Sequence, residues 1–472
     1  MPQAYDLVII GAGTGGYVAA IRAGQLGLKT AVVERQKALG GTCLIWGCIP
    51  TKALLEHAHS WKIVQHAAEW GIGFGNATPT LDLATIHARK DKIVSGLTKG
   101  VETLFKKNGV TWIKGTARLA GQGRVVVTGG DDQELVAKHI LVATGSSPRS
   151  VPGITIDHKR IITSDEAINL KEVPGSIVIL GSGAVGVEFG SIFSRFGSKV
   201  TIVELLPRLV PVEDEAVSAE LARTFRKQGI TSLTGTKVTS ATVKGNKVVA
   251  QAELPDGKTQ TLEADYLLVA TGRGPVIEGL GAEQVGLEIQ KGFVKVDEYY
   301  RTSVEGISAV GDVITFGEGT RHPQLAHVSS AEGILVAERL AGQEVRPINY
   351  EHVPGCTYCD PEIGSVGLTE QAAKDGGYDV RTGSFPFRAL GRARMADETD
   401  GFVKIVADKK YDEILGVHII GPRATELIAE AVLALRTECT VEELIRTIHA
   451  HPTFSEAVGE AAHATHGAPI HL

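Results

Sequence analysis

Two copies of one strand–glycine turn–helix–strand unit, a constant 170 residues apart, and a final third in which strands give way to helices, predict an α/β chain. It should hold two Rossmann-like parallel-sheet domains and a C-terminal α+β domain. With 472 residues, 43% of them hydrophobic, there is ample material for several cores. Glycine supplies 56 of the residues, well above the usual share of about 7%, and lies in short motifs rather than runs. That distribution suits tight turns against phosphates.

The first unit runs Leu7-Val8-Ile9-Ile10, then Gly11-Ala12-Gly13-Thr14-Gly15-Gly16, a helix from Tyr17 to Gly27, and a strand Thr30-Ala31-Val32-Val33-Glu34. This is a dinucleotide-binding βαβ fingerprint. Gly11 permits the turn, Gly13 lets backbone approach a pyrophosphate, Gly16 lets helix pack on strand, and the phosphates meet the helix N-terminus. Glu34 is placed to bind a ribose hydroxyl. The second unit repeats Gly11, Gly13, Gly16 and Glu34 at Gly181, Gly183, Gly186 and Glu204, with a helix through Phe196 and a strand Val200–Val203. Glu204 should accept a free 2′-hydroxyl and repel a 2′-phosphate, which favours NAD over NADP at this site, with Arg208 nearby as the one residue that could soften the preference.

Each unit is followed by a β-rich stretch, represented by Arg124–Val127 and Lys247–Ala250. Each stretch then leads into a similar segment, Ile140-Leu141-Val142-Ala143-Thr144-Gly145 and Leu267-Leu268-Val269-Ala270-Thr271-Gly272, read as a strand returning to its nucleotide domain. Domain boundaries are therefore expected just after Gly145 and Gly272. Ile307–Asp312 is a short apolar strand ending in Gly311-Asp312, where a carboxylate can accept a sugar hydroxyl or cap a turn. From Ile348 the chain reads as strands and then helices, notably Ala424–Arg436 with Ile428, Val432 and Leu435 on one face, and it closes on His449-Ala450-His451-Pro452-Thr453-Phe454-Ser455-Glu456.

Between the first unit and its returning strand stand Cys43 and Cys48. Glycines precede the pair and Pro50 follows it, which predicts Cys43 in a loop and Cys48 at a helix start, where the helix dipole lowers a thiol pKa. As a staple so short a loop would contribute only about 2 kcal/mol. On this segment alone, buried thiols, half of a metal site and a redox pair all stand.

Net charge is −6 and no block of consecutive Lys or Arg occurs, which makes nucleic acid and anionic membrane poor partners. No apolar run reaches transmembrane length, and the strand at Asp6–Ile10 leaves no room for a signal peptide. Five cysteines, an odd and low count, fit a reducing cytosol, so a cytoplasmic location is expected.

Taken together, Gly11–Gly16, Gly41-Thr42-Cys43 through Gly47-Cys48-Ile49-Pro50-Thr51-Lys52, Gly181–Gly186, Ala270-Thr271-Gly272-Arg273, Gly311-Asp312 and His451–Glu456 resemble the flavoprotein pyridine nucleotide-disulfide oxidoreductases over nearly the whole chain. The resemblance implies FAD on the first unit and NAD on the second, with Glu34, Arg35, Gly41, Thr42, Lys52, Thr144, Gly145, Glu204, Gly272, Arg273, Gly311 and Asp312 among the cofactor-binding residues. It implies an FAD-binding domain over 1–147, an NAD-binding domain over 148–273, a central domain over 274–347 returning to the FAD domain, and a dimerisation domain over 348–472. Cys43 would be the interchange thiol and Cys48 the thiol beside the flavin. Lys52 would place positive charge near the flavin, with Glu188 as its carboxylate partner.

In the same way His451 would be the base and Glu456 would orient it, although Thr453–Glu456 also reads as a capping box. His449 reads as structural. The expected reaction is oxidation of protein-bound dihydrolipoyl groups by NAD+, in a homodimer whose His/Glu pair serves the other subunit's flavin. The expected partners are lipoyl domains and the acyltransferase core of a 2-oxo acid dehydrogenase complex, or the lipoyl carrier protein of glycine cleavage. Another NAD(P)H-dependent disulfide or metal-ion reductase of the same family is the alternative. A non-catalytic zinc-holding or assembly role is the rival from another class, and the full set of Cys43, Cys48, Lys52, His451 and Glu456 speaks against it. Cys356 and Cys359 form a Cys-x-x-Cys, but in an extended stretch residues three apart face opposite sides, so no metal site is expected. These two and Cys439 depart from the family pattern.

Overall fold

The computed structural model describes residues 3–121, 123–317 and 322–472. Its compact units are two: one made of residues 1–53, 84–149 and 272–348, the other of 54–83, 150–271 and 349–472. The counts that follow are of the described residues.

The first unit is organised on a seven-stranded sheet. Gln3–Ile10 pairs in parallel with Thr30–Glu34 on one side and Gln133–Val142 on the other, and Thr111–Lys114 continues the sheet beyond Thr30–Glu34. Leu7, Val8, Ile9 and Ile10 are all buried, as an unbroken apolar run requires when both sheet faces are covered. Each such side chain contributes about 1.5–3 kcal/mol of burial. Gln133–Val142 divides its partners: its first half pairs antiparallel with Arg124–Thr128, and its end pairs in parallel with Ile307–Ala309. The C-terminal ends of Gln3–Ile10, Gln133–Val142 and Ile307–Ala309 therefore lie side by side, bringing together Gly11, Ala143–Gly145 and Gly311-Asp312.

Helix Thr14–Gln25 begins inside the glycine run, three residues earlier than the sequence suggested. Helix Ala326–Leu340 crosses it closely: a Cβ at Gly333 would stand 2.4 Å from the Gly15 carbonyl oxygen. Arg22 donates through two nitrogens to Glu338 at 2.7 and 2.9 Å across the same crossing.

The second unit holds three sheets. Thr231–Leu233, Lys199–Val203, Ser176–Leu180, Tyr266–Val269 and Ile161–Ile162 form a five-stranded parallel sheet in that order. Lys237–Lys244, Lys247–Glu253 and Thr259–Ala264 form an antiparallel meander. A second five-stranded sheet, antiparallel, comprises Gly355–Thr357, Glu362–Gly367, Ile414–Gly421, Phe402–Asp408 and Val380–Pro386. Helix Ala424–Arg436 buries Ile428 and Leu435 and half-buries Val432, the face read from the sequence. The two returning strands each pair in parallel with the first strand of their own nucleotide unit, as expected.

Candidate active site

The two glycine turns are near copies in geometry as well as in sequence. Gly11 and Gly181 both have φ +101°, a value that favours glycine, and a Cβ on either would meet the carbonyl oxygen of the returning strand's Ala143 or Ala270 at 2.4 or 2.5 Å. A Cβ on Gly16 or Gly186 would meet the oxygen of Gly11 or Gly181 at 2.0 Å, whereas Gly13 and Gly183 face open space. Open space above Gly13 and Gly183, at the start of helices Thr14–Gln25 and Ala184–Phe196, is the cradle that a pyrophosphate fills. Glu34 and Glu204, both buried, clamp their own turns: Glu34 accepts from the Ala12 and Gln36 amides at 2.7 and 2.8 Å, and Glu204 from the Ser182 and Leu206 amides at 2.8 and 2.9 Å. A carboxylate has about four lone-pair sites, so capacity for a ribose hydroxyl remains at each. Arg35 is exposed beside Glu34.

Other observations fit a dinucleotide on the first turn. The Thr144 hydroxyl is buried without a hydrogen-bond partner among the described residues. Gly41, at φ +58°, packs so closely on the turn that its Cβ would stand 2.5 Å from the Gly13 Cα, and the Gly40 amide donates to the Ala12 carbonyl at 2.9 Å. The thiol segment is thus docked on the glycine turn. Thr42, Arg273, Ser146 and Asp312 form one chain of contacts: Arg273 donates to the Ser146 hydroxyl and carbonyl at 2.8 Å each and reaches the Thr42 hydroxyl at 3.5 Å, while Ser146 donates to Asp312 at 2.5 Å. Arg273 thus lies beside Thr42 and Asp312. Strand pairing of Arg273–Pro275 with Ser146–Pro148 places it there.

Cys43 sits in a short helix, Gly41–Ile45, rather than in a loop. The left-handed Gly40 at φ +116° starts that turn, and its Cβ would collide with Leu44, so only glycine admits it. Cys48 opens helix Cys48–Gln65, with Pro50 in its first turn and Lys52 one turn on. The two cysteines stand as thiols. Hydrogen bonding to Cys48 and burial push the Cys43 thiol up, the Cys48 charge adds to this, and Lys52 opposes it. Cys48 sits at the start of a helix, a place that favours a thiolate. Tyr17 lies against the pair: its hydroxyl is raised by burial first and then by the charges of Cys43 and Cys48.

In the second unit, His451 Nδ1 and Glu456 Oε1 are 2.8 Å apart. Glu456 Oε2 accepts from the Thr453 amide at 2.8 Å. Half of the capping box is therefore present: the Thr453 hydroxyl turns instead to the Ala450 carbonyl and to Ser455. Burial pushes the Glu456 carboxyl up, but the Thr453 amide and the His451 ring outweigh it and hold the group below the usual range. The His451 side chain is 79% exposed in the single chain. His449 pairs with Glu430 at 2.8 Å. Glu188 is buried and accepts from the Tyr358 amide at 3.0 Å. Cys356 lies in strand Gly355–Thr357 and reaches the Thr425 carbonyl, while the buried Cys359 reaches that of Pro361.

Sequence reasoning missed Ser146, Tyr17 and Glu430. The signal for Ser146 was there: Ala143-Thr144-Gly145-Ser146 is the counterpart of Ala270-Thr271-Gly272-Arg273, and the two fourth residues are bonded to each other.

The pyridine nucleotide-disulphide oxidoreductase family model matches residues 5–333, and the dimerisation-domain model of the same family matches residues 353–462. The chain is 45% identical to a dihydrolipoyl dehydrogenase of Bacillus subtilis (strain 168) over 100% of both chains. It is 44% identical to a mitochondrial dihydrolipoyl dehydrogenase of Pisum sativum, over 99% of this chain and 92% of the relative. The crystal structure of LpdA from Mycobacterium tuberculosis superposes with a TM-score of 0.87 at 28% identity, covering 98% of this chain and 99% of that one.

Proposed function

The chain belongs to the pyridine nucleotide-disulphide oxidoreductase family, and on that premise we propose that it oxidises protein-bound dihydrolipoyl groups to lipoyl groups with NAD+ as the final acceptor. FAD, when bound, takes the electron pair from the enzyme's dithiol and passes it to NAD+ as hydride. The observation that carries this reading is the Cys43/Cys48 pair, docked through Gly41 on the first glycine turn, with the Cys43 thiol hydrogen-bonded to Cys48.

In the oxidised enzyme a substrate thiolate attacks Cys43 Sγ, the Cys43–Cys48 bond breaks, and Cys48 leaves as thiolate. The second substrate thiolate then attacks its own partner sulfur, closing the lipoyl disulfide and releasing Cys43. Each attack needs a deprotonated thiol, and His451 is the base that takes those protons, oriented by Glu456. Lys52, one helical turn beyond Cys48, supplies positive charge near that thiolate. Gly11, Gly13, Gly16, Glu34, Arg35, Gly41, Thr42, Thr144, Gly145, Gly311 and Asp312 hold FAD. Gly181, Gly183, Gly186 and Glu204 hold NAD, with Gly272 and Arg273 at the junction.

The match to a dimerisation domain supports a homodimer, in which His451 and Glu456 serve the other subunit's thiol pair. Lipoyl domains of a 2-oxo acid dehydrogenase complex, or the lipoyl carrier of glycine cleavage, would then deliver the substrate. No described helix is long and apolar enough to cross a membrane, and a cytoplasmic site of action accords with the odd, low count of five cysteines. The test is turnover of dihydrolipoamide and NAD+ by the flavin-loaded protein. Steady NADH formation that vanishes in Cys43→Ser supports the reading. An FAD-loaded protein that forms no NADH from dihydrolipoamide refutes it.

A further inference from the structure

His451–Glu456 is not an isolated pair. The last helix, Glu456–Thr465, presents Glu456 and Glu460 one turn apart. Like charges at that spacing repel on an isolated helix. The C-terminal tail answers this: the amides of Ile470 and His471 donate to Glu460 Oε2 at 2.8 and 3.2 Å, and His471 Nδ1 lies 2.7 Å from Glu460 Oε1. On the other side, His449 Nε2 lies 2.8 Å from Glu430 Oε1 of helix Ala424–Arg436. Its ring rests on the last helix at Gly459, where a Cβ would stand 2.9 Å from His449 Nδ1. Three His–Glu pairs, His451–Glu456, His471–Glu460 and His449–Glu430, therefore lie against the last helix. The charged groups facing Glu456 are His451 from its own loop, His471 and Glu460 from the tail and helix, and His449 with Glu430 from the neighbouring helix.

We propose that His471, clamped by the tail onto Glu460, is a positioning residue that sets the proton affinity of the His451–Glu456 base. This rests on the functional reading above. His471 is held more basic than an ordinary histidine, first by its bond to Glu460 and then by the charges of Glu460 and Glu456. As an imidazolium it cancels the Glu460 charge and screens Glu456. With it in place less negative charge stands behind the His451 base, and removing the cation leaves Glu460 uncompensated one turn from Glu456.

The experiment compares wild type, His471→Asn and His471→Ala as FAD-loaded dimers. His471→Asn keeps a donor for Glu460 without the charge, so it separates charge from tethering. The acidic limb of kcat/KM for dihydrolipoamide should move to higher pH by roughly 0.3–0.7 unit in both variants, a two- to fivefold loss at pH 6.5 that disappears at alkaline pH and weakens with added salt. Titration of the His451 ring by NMR in selectively labelled protein should show the same displacement without recourse to turnover. If His471→Asn titrates and turns over like wild type in both measurements, the proposal is overturned. If wild type makes no NADH from dihydrolipoamide, the functional reading fails while the NMR titration still decides whether the tail acts on His451.

Discussion

Replacing Gly186 by alanine should separate the two nucleotide sites, and the structure says by how much. The new methyl would lie 2.0 Å from the Gly181 oxygen and 3.0 Å from its carbon. Non-bonded heavy atoms settle at roughly 3.5 Å, so turn and helix must part by about 1 Å or more. That movement carries the start of helix Ala184–Phe196, with its outward amides, away from the place where a pyrophosphate sits. A misplacement of about 1 Å can cost roughly 100-fold, so the Kd and KM for NAD+ should rise by about that factor. Flavin content should stay at the wild-type level, because the first turn is untouched. Gly16→Ala is the internal control, since its Cβ meets the Gly11 oxygen at the same 2.0 Å; it should yield protein poor in flavin. Flavin absorbance per protein and NAD+ titration measure both. A Gly186→Ala protein with wild-type NAD+ affinity, or one that loses flavin instead, would refute the reasoning.

Further outcomes follow from the same geometry. Alkylation of the two-electron-reduced enzyme should label Cys43 ahead of Cys48, because the flavin covers Cys48 while Cys43 faces substrate and base, read by peptide mass analysis; preferential labelling of Cys48 reverses their roles. Glu456→Gln keeps the Thr453 amide bond but removes the charge behind His451, and kcat/KM for dihydrolipoamide should fall by about 100-fold, while a value near wild type removes Glu456 from the base. Lys404, buried between Asp214 at 2.8 Å and Glu370 at 2.7 Å, should be costly to replace: Lys404→Met leaves the buried Asp214 without its cation and Glu370 with Lys374 alone, worth about 3–5 kcal/mol in urea unfolding. Against the opposing effect of burial, its bonds hold Asp214 below the usual carboxylate range. Glu370 is lowered by Lys374 and then Lys404, and Lys404 itself is raised by Asp214 and Glu370 despite burial. The stabilisation is therefore full between the ordinary carboxylate and lysine ranges and fades as acid protonates the two carboxyls, so the gap to wild type should narrow below about pH 4. A gap that widens there contradicts this.

Much of this architecture is legible in the residues because its signals are local. Apolar runs such as Leu7–Ile10, the glycine spacing and the acid at the end of each second strand specify their own turns, and the structure reproduces them at both copies. The Cys48 helix start is equally local. Cys43 departs from the sequence expectation because Gly40 and Gly41, read as loop formers, instead turn the chain into a short helix by docking on Gly13, a contact some thirty residues distant in sequence. Ser146 was hidden for a related reason: its partners Arg273 and Asp312 lie 127 and 166 residues away, and only strand pairing unites them. His471 is an exposed tail residue by sequence, and its meaning depends on Glu460 facing it.

The clamp made by Glu34 and Glu204 on their own turns bears on redesign. Each acid fastens its own loop through two backbone amides, so it belongs to the frame of the cleft as much as to its ribose-binding edge. An engineer who replaces Glu204 to admit a phosphorylated nucleotide removes a latch along with a repulsive charge. The unlatched loop would lose grip on either nucleotide, and restoring it calls for a neutral side chain that still accepts from the Ser182 and Leu206 amides. A switch of preference here is a two-residue problem at the least.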